Sequence, residues 1–133
     1  MRNALKENAS PTTLIKKMTH LTLQSYLNKL MGQRRISTDA LAELAGLNRA
    51  SLYKIMNGST KHPQRNVVLR LALVLRLSFE ETQELLSRSR NANLSGNSAR
   101  DIILSHGIIQ QRSIDEVNQR LAAHDFADLF SKE

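Results

Sequence analysis

Apolar residues recur three and four positions apart along almost the whole chain, and strict alternation nowhere persists for the length of a strand, so the sequence reads as almost entirely α-helical. After a polar stretch at residues 1–9, Ser10 and Pro11 have the character of an N-cap and first helical residue, followed by a short stripe of Leu14, Ile15, Met18 and Leu21. A second stripe, Leu23, Tyr26, Leu27, Leu30 and Met31, ends near Gly32; the two stripes fit either two helices or one long one. The clearest pattern is residues 37–58, STDALAELAGLNRASLYKIMNG. Leu41, Ala42, Leu44 and Ala45 predict a helix over 38–45, and Gly46 can take the positive φ that ends it without a Cβ penalty. Asn48 is a good N-cap, and beyond it Leu52, Ile55 and Met56 share one face while Arg49, Ala50, Tyr53 and Lys54 fall elsewhere, up to a stop at Gly58. Two short helices about a glycine turn make a helix-turn-helix, with one face to pack and one free to touch something else.

A polar loop at 59–64, containing Lys61 and Pro63, precedes a helix predicted from about 65 to 76. Val67, Val68, Leu71 and Leu75 form one stripe of it and Leu69, Leu73 and Val74 others. A helix apolar on nearly every side is central, so this one is predicted to pack on the helix-turn-helix and on the C-terminal segment together. Ser78 and Glu81 form a capping box for the next helix, with Phe79, Leu85 and Leu86 turned inward. Residues 91–98, NANLSGNS, have the composition of a linker. Ser98 then caps a helix carrying Ile102, Ile103 and Leu104, predicted to break at Gly107, and Ser113 with Glu116 makes another capping box before Ile114, Val117 and Leu121. This tail is too short and too apolar to stand alone; it either folds back or pairs with another copy. Phe126, Leu129 and Phe130 extend it as a stripe suited to core or to docking.

Charge sharpens the picture. The net charge of +7 is uneven: +6 over residues 1–36, +3 over 37–94 and −2 over 95–133. Positive charge thus gathers on the helix-turn-helix and the arm before it, as on a phosphate-binding surface. Within the arm, Arg2, Lys6, Lys16 and Lys17 read first as a solvated basic tail and second as a phosphate or minor-groove arm. A chain of 133 residues supports one core, which disfavours a multi-domain enzyme. It has no cysteine, which excludes disulfides, thiolate catalysis and zinc fingers. The longest apolar run, 67–77, is interrupted by Arg70 and Arg76, and the N-terminus lacks an apolar signal region, so the expected location is cytoplasmic. His20, His62, His106 and His124 are scattered without metal-ligand spacing, and no metal or cofactor is expected. Glu80, Glu81 and Glu84 complement a helix dipole, and with no phosphate loop or nucleophile elbow an enzyme is not expected.

Together, Leu41-Ala42, the turn at Gly46, the twelve-residue step to Asn57-Gly58, Pro63, Leu71-Ala72 and Leu75-Arg76-Leu77-Ser78 resemble the Cro/CI-type helix-turn-helix repressor domain, or XRE family, over roughly residues 20–90. The resemblance implies an all-α, compact multi-helix lambda-repressor-like domain with a short helical C-terminal extension. The division is a basic N-terminal arm or short helix at 1–19, the DNA-binding domain at 20–90, and a C-terminal extension at 91–133 for dimerisation or regulation. It implies a sequence-specific double-stranded DNA-binding transcriptional regulator, a repressor working as a homodimer on an inverted repeat, with recognition helices about 34 to 36 Å apart. Arg49, Ala50, Tyr53 and Lys54 take the base-reading positions, Arg49 suited to guanine and Ala50 and Tyr53 to a thymine methyl or a sugar. Thr38, Asn48, Ser51, Asn57, Ser59, Thr60 and Lys61 take phosphate positions, with Arg34 and Arg35 flanking. The chain departs from the pattern at Thr38, where a glutamine is frequent, at Met56, where a glutamate is common, and at Gln64, where Ser or Thr usually caps. The rival readings are a protein-interaction module, such as an antitoxin or anti-activator using the same helices or a regulatory partner on the C-terminal segment, and an RNA-associated cofactor.

Overall fold

Thr22 opens the first helix with a reciprocal capping box, its Oγ1 accepting from the Ser25 amide while Ser25 Oγ accepts from the Thr22 amide, both at 3.1 Å. With φ −73° and ψ 164°, Thr22 is extended, so the stripe at 23–31 starts a helix of its own rather than continuing one from upstream. The computed structural model describes residues 22–132 and, among them, seven α-helices and no strand. These are α1 (Leu23–Arg34), α2 (Thr38–Leu44), α3 (Arg49–Met56), α4 (Arg65–Val74), α5 (Phe79–Arg88), α6 (Ala99–Ile109) and α7 (Ile114–Ala123). The cap at Ser10-Pro11, the stripe at 14–21 and the basic arm lie outside the described residues. Among those described, no helix is long and apolar enough to cross a membrane.

One joint is used four times: Arg35-Ile36-Ser37, Gly46-Leu47-Asn48, Arg76-Leu77-Ser78 and Gln111-Arg112-Ser113. In each, the first residue is left-handed and its amide bonds the carbonyl three residues back, while the next amide bonds the carbonyl five back. The third residue caps the following helix with its side chain, at 2.8 to 3.1 Å from a first-turn amide. The middle residue is apolar in three joints, and Leu77 is buried outright. Only Gly46 supplies glycine at the left-handed position; the others tolerate a side chain because the two backbone bonds hold the conformation.

This corrects one expected boundary: α6 is not broken at Gly107 but continues to Ile109, while α1, whose apolar stripe ends near Gly32, runs on to Arg34. Gly107 is instead where α6 and α7 touch: a Cβ there would stand 2.5 Å from Val117 Cγ2.

α4 is the central helix, as its all-round apolar pattern predicts. It contacts α2 on one side and α5, α6 and α7 on others, burying Val68, Leu69, Leu71, Ala72 and Leu73. α1 packs on α3 and α5, and α2 on α3. The C-terminal pair therefore folds back on α4. Residues 91–98, despite their linker composition, are fastened: Arg65 donates to the carbonyls of Ala92 (2.9 Å) and Asn93 (3.0 Å), Gln83 exchanges two hydrogen bonds with Leu94, and Leu94 is buried. Arg65 also grips both oxygens of Asp101 at 2.9 Å. Burial pushes the Asp101 carboxyl up, but hydrogen bonds from Arg65 and the Ser95 amide, with the charges of Arg65 and Arg100, outweigh it and hold the pKa below the ordinary value. At the end of the chain Leu129 is core, and Phe130 stacks 4.5 Å from the Arg70 guanidinium with its ring edge against Gly46.

Candidate nucleic-acid interface

α3 is built to present one face. Leu52 and Ile55 are buried against the core, which turns Arg49, Ala50, Ser51, Tyr53 and Lys54 outward. The N-cap Asn48 spends its side-chain oxygen on the Ala50 amide at 2.8 Å, leaving its amide nitrogen as the donor for an outside acceptor. The first turn of α3 holds no acid, and its first residue is Arg49, so a cation sits at the positive end of the helix dipole. An anion placed there meets attraction from both, opposed by the Asp39 carboxylate that α2 brings to the same turn.

After α3, Gly58 adopts φ +86°, the Thr60 amide returns to the Lys54 carbonyl at 2.9 Å, and Asn57 Oδ1 takes the Ser59 amide at 2.9 Å. The backbone amides of Ser59 and Thr60 are thus used in shaping the loop, so any phosphate contact from these two residues falls to their hydroxyls. Lys61 and His62 are exposed beyond them, and Thr38 is half-buried at the first position of α2. The structure brings Arg49, Ala50, Ser51, Tyr53 and Lys54 together on one helix face, with Asn57, Ser59, Thr60 and Lys61 following in the loop.

Two features of this face escape sequence spacing. Asp39, in the first turn of α2, accepts from the Tyr53 hydroxyl at 3.0 Å and from Arg49 Nη1 at 3.4 Å. The hydrogen bond to Asp39 and the negative charge of that carboxylate raise the Tyr53 pKa, with a smaller push from desolvation and against the opposing charge of Arg49. Arg34, expected to flank the interface, is taken by the fold: it donates to the Leu75 carbonyl and pairs with Glu81 at 2.8 Å. Arg35 alone of that pair is exposed. A groove of about 540 Å³ between the end of α2 and the start of α7, lined by residues including Leu44, Val74, Arg112, Glu116 and Phe130, shares no residue with this face.

Short helices α2 and α3 about Gly46, with α2 seated on the buried α4 and α3 on α1, and with Arg49 and Lys54 on the outer face, define a helix-turn-helix of the kind that enters a DNA groove. Residues 26–85, from within α1 to within α5, match the family model of the Cro/C1-type HTH DNA-binding domain. This places it generally among DNA-binding transcription regulators. No curated protein and no solved structure matches the chain.

Proposed function

We propose that the chain is a sequence-specific repressor that lays α3 in the major groove of duplex DNA, as a homodimer on an inverted repeat. The outward face of α3 carries this reading: an arginine fork, a methyl, a phenol and an ammonium stand on one side of a helix whose other side is core. Arg49 offers two parallel donors to guanine O6 and N7, and Ala50 and Tyr53 offer apolar surface to a thymine methyl. Lys54 is within the same face and reaches base or phosphate. Thr38, Asn48, Ser51, Asn57, Ser59, Thr60 and Lys61 border it with short polar groups and one ammonium, the chemistry that holds phosphate and sets register.

The test is selection of bound duplexes from a random pool at near-physiological salt, followed by sequencing. An enriched inverted repeat with half-site centres about 10 base pairs apart is the expected result. A pool that stays random, or enrichment of a single asymmetric half-site bound by one chain, overturns the dimeric reader.

A further inference from the structure

α3 carries no carboxylate of its own, yet one is brought to its outer face from α2. Asp39 lies over the first turn of α3, with one oxygen on Tyr53 and the other on Arg49, and its side chain keeps 52% of its surface exposed. Each oxygen has two lone pairs and spends one, so both retain acceptor capacity on the side that faces solvent. A carboxylate there repels phosphate, and it repels base edges that show only acceptors. It is attracted by the amino groups that the major groove displays, and cytosine N4 is the one matched by a carboxylate.

Arg49 spends a single N–H on Asp39, at a long 3.4 Å, and has four left. The pair therefore offers a donor fork with an acceptor beside it. Across the major groove a G·C pair shows guanine N7 and O6, both acceptors, and then the cytosine N4 amino donor. The two patterns are complementary in order. We infer that Asp39 is a specificity-determining residue: it accepts from a cytosine N4 amino group while Arg49 donates to the guanine of the same or the adjacent pair, with Tyr53 holding the carboxylate in place. This rests on α3 reading DNA.

The experiment repeats the random-pool selection with the native chain, Asp39→Ala and Asp39→Asn, each first shown by thermal melting to keep its fold. The native chain should enrich cytosine at one position of each half-site. Asp39→Ala should keep the length and neighbouring bases of the site while losing that preference by roughly 5- to 150-fold, and Asp39→Asn should admit adenine there, because an amide pairs with adenine N6 and N7. If both variants merely bind every duplex more tightly, with the motif unchanged, Asp39 is only an electrostatic brake and the assignment is wrong. A native chain that enriches no motif fails at the earlier step, the reading of α3 itself.

Discussion

The pair α2–α3 turns at Gly46-Leu47-Asn48 and the pair α6–α7 at Gln111-Arg112-Ser113, with the same two backbone hydrogen bonds closing each turn and the same kind of side-chain cap opening each second helix. Past the cap the two helices differ in charge. α3 begins with Arg49 and has no acid in its first turn, whereas α7 begins with Ile114, Asp115 and Glu116. In α7 the acids answer the helix dipole from within, and Glu116 is further paired with Arg112 at 3.4 Å. In α3 no acid of its own answers the dipole; the carboxylate at its first turn, Asp39, comes across the turn from α2 and meets Arg49 at 3.4 Å. The joint recurs in this fold; the charge after its cap sets the two second helices apart.

The largest effect is expected at Gly107, where α6 and α7 touch. Gly107→Val puts side-chain atoms into Val117 and should destabilise by about 3 kcal/mol in thermal or urea unfolding, while the base preference of the folded fraction stays the same. A melting point near the native one would show that α6 and α7 separate easily.

Asp101→Asn comes next, at about 2 kcal/mol, because it removes the carboxylate charge that accepts two hydrogen bonds from Arg65. The folded pKa of Asp101 lies below its unfolded value, so its stabilisation is complete above about pH 4 and is lost as pH falls through the lowered folded value. The gap between native and variant melting points should therefore close on acidification; a constant gap refutes the ion pair's role.

On the reading side, Arg49→Ala should lose about 1 to 3 kcal/mol of discrimination at one base pair with stability nearly unchanged, since its contact with Asp39 is exposed and long. The smallest effect is at Lys61. Lys61→Ala should lower the slope of log affinity against log salt by about one, whereas Arg120→Ala, on the exposed face of α7, should leave it alone. Equal slopes for the two variants would erase the distinction between the faces.

Helix starts were legible because capping needs a particular side chain: Asn48, Ser78, Ser98 and Ser113 each cap where the pattern predicts. Helix ends were less so. Glycine marks the stop at Gly46, but Gly32 and Gly107 lie inside helices, while the left-handed positions at 35, 76, 90, 111 and 125 are held by Arg, Gln and Asp. The hydrogen bonds that stabilise those positions are made by backbone, which leaves no signature in side-chain identity. The outward set on α3 comes from helical period alone. Asp39 does not, because it meets Arg49 and Tyr53 across a turn, ten and fourteen residues away, where no single-helix spacing applies. Arg34 misled for the same reason, its partners Leu75 and Glu81 being 41 and 47 residues distant.

Arg65 has a consequence for how the molecule opens. One side chain at the first turn of α4 holds two carbonyls of the 91–98 segment and the carboxylate that begins α6. The stretch that composition marks as an easy cut for a protease is thereby roped to the start of the central helix, and it cannot be exposed without disturbing α4. Amide hydrogens of α4 and α6 should exchange with solvent through one shared opening, so the helix-turn-helix half and the tail live and melt as a single cooperative unit.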